Sequence, residues 1–98
     1  MFELIQSDDF KAWHDGLRDK IARARISARI RLAKHGNLGD WRPLRDGVSE
    51  MRIDVGPGYR LYFARRGNTV VVLLCGGDKR KQHADIERAI SLVKLWKE

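Results

Sequence analysis

Arg52 and Arg60 stand on either side of a Gly56-Pro57-Gly58 turn, and further along the chain Lys79, Arg80 and Lys81 follow one another directly. A guanidinium offers donors in a rigid fork that matches a phosphate, and a lysine supplies a mobile point charge. Cations of this kind in one groove suit phosphate contacts. Gly76 and Gly77, separated from the run by Asp78, leave room for a backbone or a phosphate to approach. Alone, Lys79–Lys81 has a plainer reading, a solvated basic loop ahead of a helix. Placed beside Arg52 and Arg60, it completes a basic groove.

Two strands must bring the arginines together. Val48–Val55 alternates Met51, Ile53 and Val55 against Glu50, Arg52 and Asp54, and Tyr59–Arg65 follows the turn. Pairing Val55 with Tyr59 sets Asp54 opposite Arg60 and Arg52 opposite Tyr62. Period-two alternation then gathers Arg52, Asp54, Arg60 and Tyr62 on one face. Ile53, Val55, Leu61 and Phe63 form the other, which is expected to pack on helices while the charged face meets solvent.

The remaining elements supply that packing. Met1–Gln6 reads as a short strand, and Ser7-Asp8-Asp9 as a helix start with a capping hydroxyl and acids at the positive end of the dipole. Phe10, Trp13 and Leu17 recur at helical spacing. A second helix, from near Asp19 to Lys34, ends at His35-Gly36-Asn37, and the two helices are expected to lie antiparallel. The second carries two apolar stripes, Ile21/Ala24/Ala28/Leu32 and Ala22/Ile26/Ile30/Ala33, with Arg25 and Arg29 between them. These arginines are either substrate contacts or, as burial near an apolar face favours, cations whose stems lie on the core and whose heads pair with acids such as Asp40 or Glu50. Trp41–Arg45 is an edge strand containing Pro43. Thr69–Cys75 is a buried strand, and Gly76-Gly77-Asp78 breaks the chain before a C-terminal helix with the stripe Ile86, Ala89, Ile90 and Val93. Trp13 and Trp41 are read as packed, and Trp96 as partly exposed and available to a partner. The expectation is one α+β domain over residues 1–98, with a small antiparallel sheet packed against an N-terminal helical hairpin and a C-terminal helix.

Composition narrows the function classes. The 98 residues carry 20 Lys and Arg against 13 Asp and Glu, a net charge of +7, which points to an anionic partner. The longest apolar run, Val70–Cys75, is too short for a membrane span, and no basic segment leads into an apolar core at the N-terminus. The single cysteine, Cys75, ends an apolar strand and reads as core, which fits a reducing cytoplasm. His14, His35 and His83 are scattered, no His/Cys cluster has metal-ligand spacing, and no phosphate-cradling loop or dinucleotide fingerprint is present.

Two segments, Val48-Ser49-Glu50-Met51-Arg52-Ile53-Asp54-Val55-Gly56-Pro57-Gly58-Tyr59-Arg60-Leu61-Tyr62-Phe63 and Leu73-Leu74-Cys75-Gly76-Gly77-Asp78-Lys79-Arg80-Lys81-Gln82, resemble the RelE/ParE superfamily of bacterial toxins. The nearer resemblance is to its phage-related "addiction module killer", HigB-like branch, which Ala22–Ile26 and Gly36–Asp40 also resemble. The resemblance implies a RelE/ParE-like fold and a ribosome-dependent, metal-free endoribonuclease with no cofactor. Such an enzyme activates a ribose 2′-hydroxyl against the adjacent phosphate of mRNA. It needs a base for the hydroxyl, cations for the phosphate and an acid for the leaving oxygen. By the same resemblance Arg60 is the phosphate-stabilising arginine, with Arg52 and Lys79 beside it as catalytic cations. His83 stands in for a catalytic Tyr or His that many relatives carry near the end of the sheet, and Arg80, Lys81 and Tyr62 contact RNA. The implied partners are the ribosome and a cognate helix-turn-helix antitoxin encoded next to the gene, with the toxin a cytoplasmic monomer when free. Two other readings stay open: a ParE-type toxin that inhibits DNA gyrase by protein binding, and a non-toxic basic nucleic-acid-binding domain.

Overall fold

The computed structural model describes residues 2–68 and 70–96, so Met1 and Thr69, which the sequence places at strand ends, lie outside the described residues. Strand β1 (Glu3–Gln6) runs straight into helix α1 (Asp8–Asp15). Ser7 makes the change of direction. Its side chain accepts from the Phe10 N–H at the helix start, and its hydroxyl donates to the Leu74 carbonyl at 2.6 Å. Helix α2 (Lys20–Lys34) is capped by Asp19, whose carboxylate accepts from the Ile21 and Ala22 N–H groups. There follow β2 (Trp41–Arg45), β3 (Val48–Ile53), β4 (Tyr59–Arg66), β5 (Val70–Asp78), a tight 3-10 turn at Lys79–Lys81 and helix α3 (Gln82–Leu95).

The element order is the one the sequence implies, but the sheet is not purely antiparallel. It is a five-stranded mixed sheet in the order β1-β5-β4-β3-β2. β2 to β5 form the expected antiparallel meander, whereas β1 lies parallel to β5, with Leu4 beside Val71. Strand direction is not written in the local sequence of β1. The helices and strands between β1 and β5 make the crossover that a parallel pair requires.

The second correction concerns the far face of the sheet. One face packs on α1 and α2, with Met51, Ile53, Leu61, Phe63 and Leu73 against Phe10, Ala22, Ile26 and Ile30. The other is covered by α3, where Ala89 and Ile90 meet Val48, Tyr62, Ala64, Val72 and Leu74. The apolar stripe of α3 needed a partner, and the free sheet face was the surface available to it. Trp96 packs against this second cluster, and Trp41 and Trp13 against the first. Of the two apolar stripes on α2, the one through Ala22, Ile26, Ile30 and Ala33 is buried, while Ile21 and Leu32 are 67% and 46% exposed. No helix among the described residues is long and apolar enough to cross a membrane.

The glycine pair does not break the chain. β5 continues through it to Asp78, with Gly76 beside Leu61 and Gly77 beside Arg60 on β4. A bulge between Tyr62 and Phe63 shifts the register, so that Leu74 and Cys75 both join the α3 side. Gly76 then faces α1 and Gly77 faces α3. A Cβ at Gly76 would sit inside the Trp13 ring, and one at Gly77 on the Asp85 carboxylate. These glycines are required by packing. Gly76→Ala is expected to cost about 2 kcal/mol of stability through overpacking against Trp13, read as a lower urea midpoint at unchanged slope.

Candidate phosphate-binding pocket

β3 and β4 pair with Arg52 opposite Arg60, Glu50 opposite Tyr62 and Ile53 opposite Tyr59. The register is thus displaced by two residues from the Val55–Tyr59 pairing expected from the turn, and residues 54–58 form the connection. An even displacement leaves every side chain on its expected face. It also sets the two arginines directly across from each other. Like charges in that position repel, and each arginine has its own carboxylate to offset this. Arg52 donates to Asp40 at 3.0 Å, and Arg60 lies 3.6 Å from Glu50.

Arg52, Arg60 and Lys79 line one cavity of about 270 Å³ together with Asp40, Asp54 and Gly58. Lys79 reaches it because its N–H bonds the Gly58 carbonyl at 3.0 Å, which fastens the end of β5 to the turn. Gly58 sits at φ 84°, and its missing side chain leaves space that the Lys79 stem fills. The far wall is fixed from α2. Arg29 donates to the carbonyls of Arg52 at 2.6 Å and Leu38 at 2.9 Å, and more weakly to that of Asp40. Its guanidinium lies so close to Gly39, at φ 65°, that no side chain fits there. Burial pulls the Arg29 pKa down from its ordinary value, against the opposing pull of Asp40. Arg29 therefore positions the wall and does not face the cavity. Of the two arginines between the apolar stripes it takes the structural role, through backbone carbonyls and not an acid's side chain, while Arg25 is exposed and pairs with neither Asp40 nor Glu50.

The hydrogen bond from Arg52 holds the Asp40 carboxyl below the usual carboxylate range, helped by the charges of Arg52, Arg29 and Arg60. The same hydrogen bond raises Arg52. Asp54 lines the cavity with no hydrogen bond from a described residue, so it is the pocket carboxylate left open to a ligand.

Glu50 is the buried acid of the sheet. It is fully enclosed, accepts from Arg42 at 2.7 Å and lies within reach of Arg60 and of the Gln82 amide on α3. A buried carboxylate persists only when paired, so it holds the Arg60 guanidinium at the mouth of the cavity. Glu50→Ala should cost about 3 kcal/mol, because it strands a guanidinium that is only 11% exposed. Glu50→Gln, which keeps the shape, should cost less, and chemical denaturation of both variants checks the order.

A profile of the family described as phage-derived protein Gp49-like (DUF891) matches residues 8–94. The chain belongs to this family. Gp49-like proteins are a RelE-like, toxin-type family. An uncharacterised protein of Haemophilus influenzae is 45% identical over 80 residues, covering 82% of this chain and 81% of its own. The cavity residues all fall inside the Gp49-like match.

Not every residue singled out in the sequence reaches the Gp49-like pocket. Tyr62 is fully buried under α3, and its hydroxyl, without a partner among the described residues, is turned into the protein. Burial, with the nearby Glu50 charge, pushes its pKa well up, and it does not line the cavity. His83 is exposed on the first turn of α3 and does not line the cavity. Arg80 folds back on Asp78 at 2.8 Å, and with Lys81 it lines a separate cavity, so the basic run is divided and only Lys79 joins the arginines. Cys75 is core as expected, its thiol pushed up to about 12 by burial. Among the described residues no three of His, Cys, Asp and Glu gather to hold a metal ion. Asp40, Asp54 and Glu50 were the site residues that charge-run reasoning passed over. For Glu50 and Asp54 the signal was period two, since Glu50, Arg52 and Asp54 share a face; Asp40, just before β2, carried none.

Proposed function

We propose that this Gp49-like protein is the toxin of a type II toxin–antitoxin module, of the HigB-like branch, and that it cleaves mRNA on the ribosome by 2′-hydroxyl attack without a metal. The observation that carries the reading is the convergence of Arg52, Arg60 and Lys79 with an unpaired carboxylate, Asp54, in one cavity of a chain that belongs to a toxin-type family. In the proposed reaction Asp54 takes the proton of the 2′-hydroxyl as its oxygen bonds to phosphorus. The bond from phosphorus to the 5′ oxygen breaks, leaving a cyclic phosphate, and Lys79 gives a proton to the departing oxygen. Arg60 and Arg52 meet the negative charge that grows on the phosphoryl oxygens. The cavity has room for one phosphodiester, and the ribosome supplies the ordering of the message that so small a surface lacks. Expression of the wild type in a bacterial cytoplasm should halt growth and leave cuts in translated messages. Intact messages with inhibited DNA gyrase would overturn this in favour of a ParE-type protein-binding toxin.

The partner that silences it is proposed to be a small helix-turn-helix antitoxin encoded next to the gene. The outward face of α2 supports this, since it exposes Ile21 and Leu32 on a helix that carries Lys20, Arg23, Arg25 and Arg31 and no acid. An acidic amphipathic segment of the antitoxin complements that face in both charge and hydropathy. Association should be fast and should weaken about tenfold or more between low and physiological salt. A complex that forms equally at every salt concentration would remove the electrostatic part of this account.

A further inference from the structure

Among the described residues, the outer edge of β5 beyond Leu73 has no neighbouring strand, because β1 pairs with Val70–Leu73 and the chain then departs through Ser7. A cavity of about 260 Å³ opens against this edge, lined by Trp13, Gly76, Gly77, Asp78, Arg80, Lys81 and Asp85. We propose that this cavity is a nucleobase subsite with a preference for guanine, occupied by a base next to the phosphate held at Arg60 and Lys79. The proposal rests on the nuclease reading of the first pocket and names what that reading leaves open, the part of the substrate that is recognised.

Three observations carry it. Trp13 lies over Gly76 and is braced by Phe10 at 5.7 Å and by the edge of Tyr59 at 6.1 Å. Half-buried and held from behind, its indole is a fixed platform, and stacking on an aromatic ring is the general means by which proteins hold a base. Asp85 lies over Gly77 at the opposite lip, and its carboxylate accepts no hydrogen bond from a described residue. A carboxylate can accept two parallel N–H bonds, and guanine presents two side by side on its pairing edge. Burial raises this carboxyl above its ordinary value. Finally, Lys79 lines the phosphate pocket while its chain neighbours Asp78 and Arg80 line this one, so the end of β5 and the turn after it contribute to both cavities. Gly76 and Gly77 leave the platform and the carboxylate on either side of an edge with no side chains between them.

Titration of the isotopically labelled full chain with guanosine 3′-monophosphate and cytidine 3′-monophosphate tests this by NMR. The guanine nucleotide should shift the Trp13 indole and the Gly76 and Gly77 amides, and cytidine should shift them far less. Asp85→Asn replaces an acceptor by a donor and should weaken the guanine nucleotide about tenfold or more. Asp85→Ser, a shorter side chain at the same place, should do the same if the asparagine variant folds poorly. In cleavage mapping, Asp85→Asn should relax the base preference beside the cut, lowering cleavage at guanine-flanked sites by about tenfold or more relative to other sites. Shifts confined to Arg60 and Lys79 with either nucleotide, or an unchanged base preference in a variant that still cuts, would overturn the subsite and leave the nuclease standing. A wild type that cuts nothing yet shows the guanine-specific shifts would do the reverse. Perturbation of Gly76 and Gly77 by purified antitoxin and by neither nucleotide would also overturn it, assigning the open edge to strand addition by a protein.

Discussion

Arg60→Ala is expected to lower the rate of message cleavage by about 10²–10³-fold, the usual loss when a donor to developing charge is removed. The residue enters the cavity from the centre of the sheet, with the other cavity cations on either side of it. Its exposure of 11% means that it is desolvated before substrate arrives, so its contact with phosphate is made in a weakly screened setting. From the sequence alone its side chain is expected on a solvent face, where truncation affects folding little. The covering helix changes that expectation. Removing Arg60 deprives the enclosed Glu50 of one cation, though Arg42 and Gln82 remain, and a loss of about 1–2 kcal/mol should accompany the loss of rate. The double variant Arg60→Gln with Glu50→Gln neutralises both charges at nearly constant volume. It should regain stability in thermal denaturation and stay inactive in single-turnover cleavage. Full toxicity of Arg60→Ala, together with loss of toxicity in a folded Arg25→Ala variant, would move the working surface to α2.

Asp54→Asn is expected to reduce cleavage by about 10²–10⁴-fold with little change in stability. Asp54 is exposed, lies in the connection after β3 and receives no hydrogen bond from a described residue, so its replacement disturbs no packing. Asp40, the other carboxylate of the cavity, is engaged by Arg52 and held below the ordinary carboxylate range by that bond. A carboxylate stabilised in that way is the poorer proton acceptor. Asp40→Asn should therefore act mainly on substrate binding, by loosening Arg52, and Asp54→Asn mainly on the chemical step. The Asp40–Arg52 pair contributes stability above the ordinary carboxylate pKa and loses it only as the pH falls through the depressed value. Single-turnover rates at saturating ribosome concentration separate the two variants. Equal effects on the chemical step would make the pair of carboxylates one unit.

Much of this was legible before the fold, and what was not has specific causes. The turn after Asp54 was read two residues out of register, yet Arg52 and Arg60 still fell on one face, because strand alternation is indifferent to an even slip. The cap at Ser7, the start of α2 at Asp19 and the apolar stripe of α3 all follow from local chemistry. The burial of Tyr62 does not, since it depends on which sheet face α3 covers, a choice made by the whole chain. The direction of β1 is equally non-local. The glycine pair was read as room for phosphate, and its actual neighbours, Trp13 and Asp85, come from helices far away in sequence. Glu50 and Asp54 were on the right face but carried no motif, and only the enclosure of one and the openness of the other separate a brace from a proton acceptor.

The central claim, that the Arg52/Arg60/Lys79 cavity cuts mRNA on ribosomes, is tested most directly in a reconstituted translation reaction. Purified wild-type and Arg60→Ala proteins are added to a defined message with and without ribosomes, and the ends are mapped by primer extension and by chemical assay of the terminal phosphate. The account predicts cuts within the coding region, cyclic phosphate ends, dependence on ribosomes and loss of cutting in Arg60→Ala. A message left intact by wild-type protein, with the same preparation blocking supercoiling by DNA gyrase, would contradict it.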